Sequence, residues 1–220
     1  MIHPDMGPPQ ATLLGFLFTD AQVPQALLQD TLQKAVNETF NACSVDGDTS
    51  TNDAIIALAS GASGNPCSGP ALEAAFTRVC EELARSVVAD GEGSEHTVEL
   101  TVNGLADDEQ ARTIARTIAT SLLVKTALQG KDANWGRILA AAGRAGVMFD
   151  PARARLAIAG VEIVRHGVAV GGEAEREANR RMREASYRIE LQLGGGNGRA
   201  RYWMADLGHG YVDVNASYRS

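Results

Sequence analysis

Apolar residues recur along this chain with two periods, one typical of strands and one typical of helices. The run from Leu13 to Phe18 is apolar apart from Gly15 and too short for an ordinary helix, so it predicts a strand buried on both faces. The run Ala54–Ala59 predicts a second buried strand. Between these runs, a four-residue spacing predicts an amphipathic helix over residues 23–41 with an apolar stripe of Leu28, Leu32, Val36 and Phe40.

Helices and strands continue to alternate after residue 60. Ser68 and Pro70 predict the start of a helix, whose expected apolar stripe is Leu72, Phe76, Val79, Leu83 and Val87. Residues 97–102 alternate polar and apolar side chains, which predicts a half-exposed strand that turns at Asn103-Gly104. Asp107 predicts the cap of a further helix, whose inward positions are Ala111, Ile114, Ala115 and Ile118.

The last third of the chain predicts short elements. Residues 122–146 predict helical pieces interrupted by glycines, and four short strands are expected at residues 156–158, 161–164, 187–191 and 200–204. The alternation of both element types predicts the α/β class, with layered helices and mixed sheets and a smaller C-terminal α/β unit. We place the boundary between the two domains at residue 140, which gives domains 12–140 and 141–220.

Composition narrows the class of protein. The 220 residues carry a net charge of −7, and the sequence pI is near 5.1. This acidic balance argues against a nucleic-acid partner, which needs a concentrated basic face. No apolar run is long enough to span a membrane, no export signal is recognisable, and the three cysteines lack metal or disulfide spacing. We therefore expect a cytoplasmic protein that binds neither nucleic acid nor a membrane.

Three polar or glycine-rich stretches are candidate binding segments. Asp46 to Asp53 lacks the glycine and the final glutamate of a calcium loop, which favours a turn that satisfies its own hydrogen bonds. Leu193 to Gly198 precedes a strand pattern, which favours a hairpin turn over a phosphate-binding loop. Glu92, between Gly91 and Gly93, suits a ligand's ammonium group, although the glycines equally suit the end of a helix. No stretch predicts a metal site.

Thr12 is the candidate nucleophile. It stands at the start of the first predicted strand, where a rigid element would hold its hydroxyl group in place. Threonine is also a common strand residue for structural reasons. The residues alone leave both roles open.

Seven motifs, in order along nearly the whole chain, resemble the ornithine acetyltransferase (glutamate N-acetyltransferase) family. They are Met1 to Met6, Ala11 to Leu14, Asp46 to Asp53, Asp90 to Gly93, Leu123 to Ala127, Asn134 to Arg137, and Asp206 to Ser220. The resemblance is to the second, nucleophile-bearing (beta) half of a precursor that cuts itself between an alanine and a threonine. It implies an N-terminal-nucleophile-like fold and a cut between Ala11 and Thr12, with residues 1–11 as a remnant of the first-half chain. The segment Gly7 to Gln10 departs from the family, which usually runs directly from methionine into alanine-threonine.

The resemblance also implies a reaction and its residues. Thr12, once it is the N-terminal residue, would use its own α-amine as general base. It would take the acetyl group from N-acetylornithine and pass it to glutamate, a step of arginine biosynthesis. Thr12, Glu92, Asn215 and Ser220 would contact the substrate. No cofactor is implied, although some members of the family also accept acetyl-CoA as acetyl donor.

A partner chain is implied as well. In the family, the first half supplies the threonine-glycine pair of the oxyanion hole and a substrate-binding lysine, so we expect the isolated chain to be inactive. The expected assembly is a heterotetramer of two alpha (first-half) and two beta chains. Two alternatives stay open: a related N-terminal-threonine amidohydrolase or aminopeptidase that uses water as acceptor, and an inactive fragment without its partner.

Overall fold

The computed structural model of the protein describes residues 13–217 and divides the chain into two compact units. Of the described residues, the first unit comprises 13–43 and 48–87, and the second comprises 44–47 and 88–217. The domain boundary expected at residue 140 stays a prediction. The strand at residues 97–105 lies inside a sheet whose other strands come mostly from residues 155–205.

The first unit is a two-stranded parallel sheet covered by helices. Strand β1 (Leu14–Thr19) pairs in parallel with the strand Ala54–Ala59, and Leu14 lies opposite Ala54. Helix α1 (Gln25–Glu38) connects the two strands, and helix α2 (Gly69–Ala89) follows the second one. The core contains one side of the sheet and the inward faces of both helices: Leu17, Leu32, Ala35, Val36, Phe40, Ile55, Leu72, Phe76, Cys80 and Ala84.

The prediction that β1 is buried on both faces is wrong, and the strand Ala54–Ala59, predicted to be buried, is buried on one face only. Leu17 and Ile55 face the helices and are buried, whereas alternate residues on the other side of the sheet are exposed. We call this other side the open face; its residues, with their exposed fractions, are Leu14 (60%), Phe16 (53%), Phe18 (74%), Ile56 (43%) and Leu58 (51%). A continuous apolar run shows that a strand suits burial on both sides, but it does not show whether the same chain provides the cover.

The buried stripe of α2 also differs from the expected one. Leu72, Phe76, Cys80 and Ala84 are buried at four-residue spacing, whereas Val79 and Leu83 are exposed. The stripe therefore uses small side chains, Cys80 and Ala84, where larger residues were expected.

The second unit is built on a mixed seven-stranded sheet. Its strands are β2 (Cys43–Ser44), β4 (Thr97–Leu105), β5 (Arg155–Ile158), β6 (Val161–Arg165), β7 (Val168–Ala169), β8 (Ser186–Gln192) and β9 (Gly198–Ala205), with Ala54–Ala59 of the first unit counted as β3. From one edge to the other their order is β2, β9, β4, β8, β5, β6 and β7. Strand β4 is parallel to β8 and antiparallel to β9.

Helices complete the second unit. They are α3 (Asp108–Ala119), α4 (Leu122–Gln129), α5 (Trp135–Gly143), α6 (Gly172–Arg181) and α7 (His209–Ser217). The predicted cap of α3 is confirmed, because the Asp107 carboxylate accepts a hydrogen bond from the Gln110 backbone nitrogen at 2.8 Å. The four predicted inward residues of α3 are all fully buried. Helix α3 packs on β4 and β9, and α5 packs on α3 and α4.

Two glycine turns differ from their predictions. Asn103-Gly104 does not end β4; the strand continues to Leu105 through a bulge at which Gly104 has a φ of +89°. The loop from Leu193 to Asn197 is not a hairpin turn, since β8 and β9 lie on opposite sides of β4. The loop instead crosses the end of β4, where a Cβ on Gly196 would lie 1.9 Å from the Leu105 carbonyl oxygen. Glycine is required there for this close crossing.

Candidate functional site

The structure describes two of the expected site residues, Glu92 and Asn215. Ala11 and Thr12, the expected cleavage pair, and Ser220, an expected substrate contact, lie outside the described residues. Glu92 lies in the loop between α2 and β4, and Asn215 lies on α7; both belong to the second unit.

Glu92 and Asn215 are in direct contact although 123 positions separate them in the sequence. The Asn215 side-chain nitrogen Nδ2 donates to Glu92 Oε2 at 2.7 Å and to the Tyr211 backbone oxygen at 3.0 Å. Both side chains are exposed, so the pair faces solvent. A carboxylate oriented by an amide in this way can pair with a ligand's ammonium group, because its charge is retained while one oxygen is held in place.

Gly93 makes this contact possible. It has a φ of +66°, and a Cβ at this position would lie 2.2 Å from the Tyr211 backbone nitrogen. Only glycine lets the loop approach α7 so closely. The structure explains part of the Asp90 to Gly93 motif: Glu92 contacts Asn215 of α7, and Gly93 allows the loop to approach this helix.

Asp206 fixes the chain that follows Glu92. Its Oδ1 atom accepts hydrogen bonds from the Ser94 hydroxyl at 2.8 Å, from the Glu95 backbone nitrogen at 2.9 Å and from the His96 backbone nitrogen at 3.1 Å. Asp206 itself is buried and lies directly after β9. Three donors on one carboxylate oxygen hold residues 94–96 in a single conformation, and these residues connect the Glu92 loop to β4.

Lys125 on α4 is the buried cation of this region. Its side-chain nitrogen donates to the Ala205 backbone oxygen, next to Asp206, and its own backbone oxygen accepts from the Leu207 nitrogen at 3.3 Å. Burial lowers the pKa of the Lys125 ammonium to about 8, while the negative charges of Asp206 and Asp46 act in the opposite direction. Lys125 thus joins α4 to the segment that leads from β9 into α7.

Polar atoms without a described partner gather beside these residues. They are His96 Nε2, Tyr187 Oη and Asp206 Oδ2, all buried within the part of the chain that the structure covers. The rings of His96 and Tyr187 lie 5.8 Å apart, and His96 Nδ1 is 3.0 Å from the Glu184 backbone oxygen. Burial, followed by the charge of Asp206, raises the pKa of the Tyr187 hydroxyl above its ordinary value. No histidine was predicted to be catalytic, and this arrangement gives His96 a packing role.

The acidic segment from Asp46 to Asp53 has contacts in each unit. In the second unit, the Tyr211 hydroxyl donates to Asp46 Oδ2 at 3.1 Å. In the first unit, Asp53 Oδ1 accepts from the Leu13 backbone nitrogen at 2.7 Å, and the Ser50 hydroxyl accepts from the Asn52 nitrogen at 3.1 Å. The latter bond is a short-range turn contact of the expected kind. Within residues 13–217, no group of histidine, cysteine and acidic residues is arranged to hold a metal ion.

Asp53, Lys125 and Asp206 were not identified as site residues from the sequence, although all three lie in motifs that carried the family resemblance. A signal was present for two of them. Lys125 is a charged residue within the apolar helical run Leu122 to Leu128, and Asp206 directly follows an apolar strand. A charged side chain in such a position must be paired or hydrogen-bonded when it is buried.

Among the described residues, no helix is both long and apolar enough to cross a membrane.

Comparison with known proteins gives consistent matches. The model of the ArgJ family matches residues 1–220, which is the whole chain. The arginine biosynthesis bifunctional protein ArgJ of Syntrophotalea carbinolica is 43% identical over 226 residues, an alignment that covers all of this chain and 56% of that protein. The protein of the same name from Chlorobium chlorochromatii is 46% identical over 224 residues, covering all of this chain and 51% of its own length. The chain thus spans about half the length of the curated relatives it matches.

A solved structure has the same fold. The crystal structure of the arginine biosynthesis bifunctional protein ArgJ from Bacillus halodurans superposes with a TM-score of 0.90 at 38% sequence identity. The match covers 94% of this chain and 100% of the matched chain in that crystal. The α/β class with a mixed sheet is therefore confirmed. The matched crystal chain has no part outside the span of this chain, in contrast to the longer curated relatives.

Proposed function

Because the chain belongs to the ArgJ family, we propose that it is the nucleophile-bearing second half of an ornithine acetyltransferase that acts in arginine biosynthesis. In this proposal the bond between Ala11 and Thr12 is cut, and a first-half chain completes the active site. The assembly is a heterotetramer of two first-half and two second-half chains, in the cytoplasm. The fully covered crystal chain supports the division into two chains, since the curated relatives are about twice as long.

The single observation that carries the proposal is the contact between Glu92 and Asn215. Both residues were assigned to the substrate pocket on the basis of family motifs, from segments 123 positions apart, and their side chains lie 2.7 Å apart. The exposed carboxylate of Glu92 suits the ammonium group of ornithine, which is present in both N-acetylornithine and the released product.

The proposed reaction has two acyl-transfer steps. The Thr12 hydroxyl attacks the acetyl carbonyl carbon of N-acetylornithine, and the free α-amine of Thr12 takes the hydroxyl proton. The carbon–nitrogen bond then breaks, the leaving nitrogen receives a proton, and ornithine departs from an acetyl ester on Thr12. The amine of glutamate attacks this ester, which forms N-acetylglutamate and restores the threonine hydroxyl. An α-amine with an ordinary pKa of about 7.7–8.0 is partly neutral at pH 7 and can act as this base.

Ser220 and Asn215 are proposed to bind the substrate through neutral hydrogen bonds. The oxyanion formed in each step is proposed to be stabilised by the first-half chain, so this chain alone is expected to be inactive. Acetyl-CoA is a candidate second donor, because the relatives carry the word bifunctional in their names.

The test is an acetyl-transfer assay on this chain co-expressed with the first-half chain encoded with it. Without glutamate we expect N-acetylornithine to release at most one ornithine per Thr12, as the enzyme is acetylated. Continued turnover should require glutamate and form an equal amount of N-acetylglutamate. Thr12→Ala should abolish both products, whereas Thr19→Ala, a change of the same type at the far end of β1, should retain them. Release of ornithine at the same rate without glutamate would identify an amidohydrolase instead. The same assay with acetyl-CoA determines whether that donor is used.

A further inference from the structure

Glu92 lies in a short turn between two glycines. The Ser94 backbone nitrogen donates to the Gly91 backbone oxygen at 3.0 Å, which closes a β-turn over residues 91–94 with Glu92 at its second position. Gly93, at the third position, has a φ of +66°. Glycine restricts the backbone less than any other residue, so Glu92 keeps a fixed direction only if contacts with the rest of the unit anchor the turn.

Asp206 anchors this turn on its C-terminal side. The Ser94 hydroxyl donates to Asp206 Oδ1 at 2.8 Å, so the residue that closes the turn is also bound to a buried carboxylate. The backbone nitrogens of Glu95 and His96 donate to the same oxygen at 2.9 and 3.1 Å. Hydrogen bonds to an ionised carboxylate are about twice as strong as those between neutral groups. These three bonds therefore fix the end of the turn.

A second anchor of the same segment is exposed. The Glu95 carboxylate pairs with the Lys131 ammonium at 2.5 Å and accepts a hydrogen bond from Gln129 Nε2 at 3.1 Å. The Glu95 side chain is 55% exposed, and an exposed ion pair contributes little because water competes for both charges. The buried bonds to Asp206 are therefore expected to determine the position of the turn.

Asp206 also leads the chain into α7, the helix that carries Asn215. Two residues separate it from His209, the first residue of α7. The next backbone nitrogen, that of Leu207, donates to the backbone oxygen of the buried Lys125 at 3.3 Å. The chain thus enters α7 from a fixed position. One residue connects the two elements that carry the proposed substrate contacts.

We propose that Asp206 is a positioning residue for substrate binding: its buried carboxylate holds the turn that directs Glu92 towards Asn215, and it thereby sets the affinity for the ammonium group of the substrate. The proposal rests on the proposed function, in which Glu92 pairs with that group, and adds a residue that acts through Glu92 without touching the substrate. A charge-assisted hydrogen bond depends on the direction of the carboxylate, so a turn without its anchor binds the ammonium group less tightly.

Balancing the charge of Lys125 is the other role open to Asp206. The two charges attract each other, although the Lys125 ammonium donates its hydrogen bond to the Ala205 backbone oxygen. If the charge were the whole contribution of Asp206, an uncharged replacement would be as harmful as removal of the side chain. Asparagine distinguishes these roles, because it removes the charge and retains an oxygen that can accept the three hydrogen bonds.

The experiment measures KM and kcat for N-acetylornithine with this chain co-expressed with its first half. We expect Asp206→Ala to raise KM about 10-fold or more and to change kcat less than about threefold, the pattern of an interaction lost equally from the ground state and the transition state. Asp206→Asn should keep KM within about threefold of wild type. Asp107→Ala is the matched control, because Asp107 also accepts a backbone hydrogen bond at 2.8 Å in this unit, as the cap of α3. It should lower the melting temperature and leave KM unchanged.

A double-mutant cycle tests whether Asp206 acts through Glu92. In Glu92→Gln the charge that Asp206 orients is absent, so adding Asp206→Ala should raise KM by less than about a further twofold. Effects of the two changes on KM that multiply in full would overturn the proposal, because Asp206 would then act independently of Glu92. A KM for Asp206→Asn as high as that for Asp206→Ala would also overturn it, in favour of charge balance.

Ser94→Ala keeps the experiment decisive if Asp206→Ala does not fold. It removes one of the three bonds to Asp206 at a half-buried position, so the melting temperature should stay close to that of wild type. We expect KM to rise about two- to fivefold, as for the loss of one hydrogen bond. An unchanged KM in Ser94→Ala would overturn the proposal.

A binding measurement distinguishes failure of the positioning role from failure of the proposed reaction. If the wild-type complex binds ornithine in titration calorimetry but transfers no acetyl group, the proposed reaction is contradicted, and the affinity for ornithine replaces KM. Asp206→Ala should then weaken ornithine binding about 10-fold. An unchanged affinity in that variant would overturn the positioning role whether or not acetyl transfer occurs. A wild-type complex that neither binds ornithine nor transfers acetyl would contradict both.

Discussion

The Asp53 carboxylate accepts a hydrogen bond from the Leu13 backbone nitrogen at 2.7 Å, and the Leu13 backbone oxygen accepts one from the Ala54 nitrogen at 2.8 Å. Both polar backbone groups of the residue that follows Thr12 are therefore held by the start of β3. Burial raises the pKa of the Asp53 carboxyl, while its hydrogen bond from Leu13 acts in the opposite direction. This contact gives the loop before β3 a part in fixing the chain next to the proposed nucleophile.

Replacing Asp53 should impair acetyl transfer without touching the substrate. In Asp53→Ala, the Leu13 nitrogen loses its acceptor, which costs about 1–3 kcal/mol and leaves the segment after Thr12 less well held. We expect kcat for acetyl transfer to fall about 10- to 100-fold with KM changed less than threefold. Asp53→Asn retains an oxygen acceptor and should be affected less than the alanine variant. Asp20→Asn, which changes an exposed carboxylate of the same unit, serves as control.

A fall in kcat for Asp20→Asn as large as that for Asp53→Ala would show that the effect is not specific to the Leu13 contact. A kcat for Asp53→Asn as low as that for Asp53→Ala would lead to the same conclusion, because the amide oxygen can still accept the hydrogen bond from Leu13.

Glu92 and Asn215 should act mainly on substrate binding. Glu92→Gln removes the charge that is proposed to pair with the substrate ammonium, a contact worth about 1.5–3 kcal/mol. We therefore expect KM for N-acetylornithine to rise about 10- to 100-fold, with a smaller effect on kcat. Asn215→Ala, which leaves the Glu92 charge in place but removes its amide partner, should raise KM by less. Steady-state kinetics of the assembled enzyme measures both values. An unchanged KM in Glu92→Gln would contradict its role in binding.

The pH dependence of stability should report the buried Lys125. Its folded pKa of about 8 lies below the ordinary value of 10.5, so between these pH values the unfolded chain binds a proton that the folded chain has lost. The free energy of unfolding should therefore rise with pH in this window, by about 3 kcal/mol in total. Lys125→Met removes this titrating group. The difference in unfolding free energy, wild type minus variant, should increase between pH 7.5 and pH 10.

Trp203 provides the signal for that measurement, because it is buried in β9 of the same unit. Unfolding by urea, followed by tryptophan fluorescence at the two pH values, gives the difference directly. A wild-type minus variant difference that is the same at pH 7.5 and at pH 10 would mean that Lys125 does not titrate in this range.

The three free thiols should differ in reactivity. Cys43 and Cys80 are buried in the first unit, and burial raises their pKa values to about 12 and about 11, so little thiolate forms near neutral pH. Cys67 is only half-buried. With iodoacetamide at pH 8 we expect mass spectrometry to find one modification per native chain, at Cys67, and three after denaturation. Rapid modification of Cys80 in the native chain would show that α2 does not pack on the sheet as described.

The sequence predicts regular elements well where a local signal sets them. The cap at Asp107, the inward stripe of α3 and the strand Ala54–Ala59 all follow from spacing and from the chemistry of one residue, and the structure confirms them. The burial of β1 on both faces was predicted incorrectly. An apolar run shows that a strand suits apolar cover on both sides, but it does not show whether the same chain provides that cover. The short β7 and the helix α7 were missed, since β7 has two residues and α7 has only a weak apolar stripe.

The candidate site likewise contains some features that the sequence predicts and others that only the structure shows. Family motifs predict Glu92 and Asn215 as site residues. Their contact at 2.7 Å appears only in the structure, because contacts between distant segments depend on the fold. Asp53 and Asp206 act on backbone nitrogens, of Leu13 and of residues 95 and 96, and a backbone partner leaves no pattern of side chains in the sequence.

The central claim is that Thr12 carries the acetyl group, and mass spectrometry of the co-expressed complex tests it most directly. The proposal predicts a second-half chain that begins at Thr12 and, after mixing with N-acetylornithine without glutamate, gains about 42 Da on that residue, the mass of one acetyl group bound to a side-chain nucleophile. Adding glutamate should remove the acetyl group and form N-acetylglutamate. An intact chain from Met1 to Ser220, or a cut chain that is never acetylated at Thr12 while ornithine is released, would contradict the proposal.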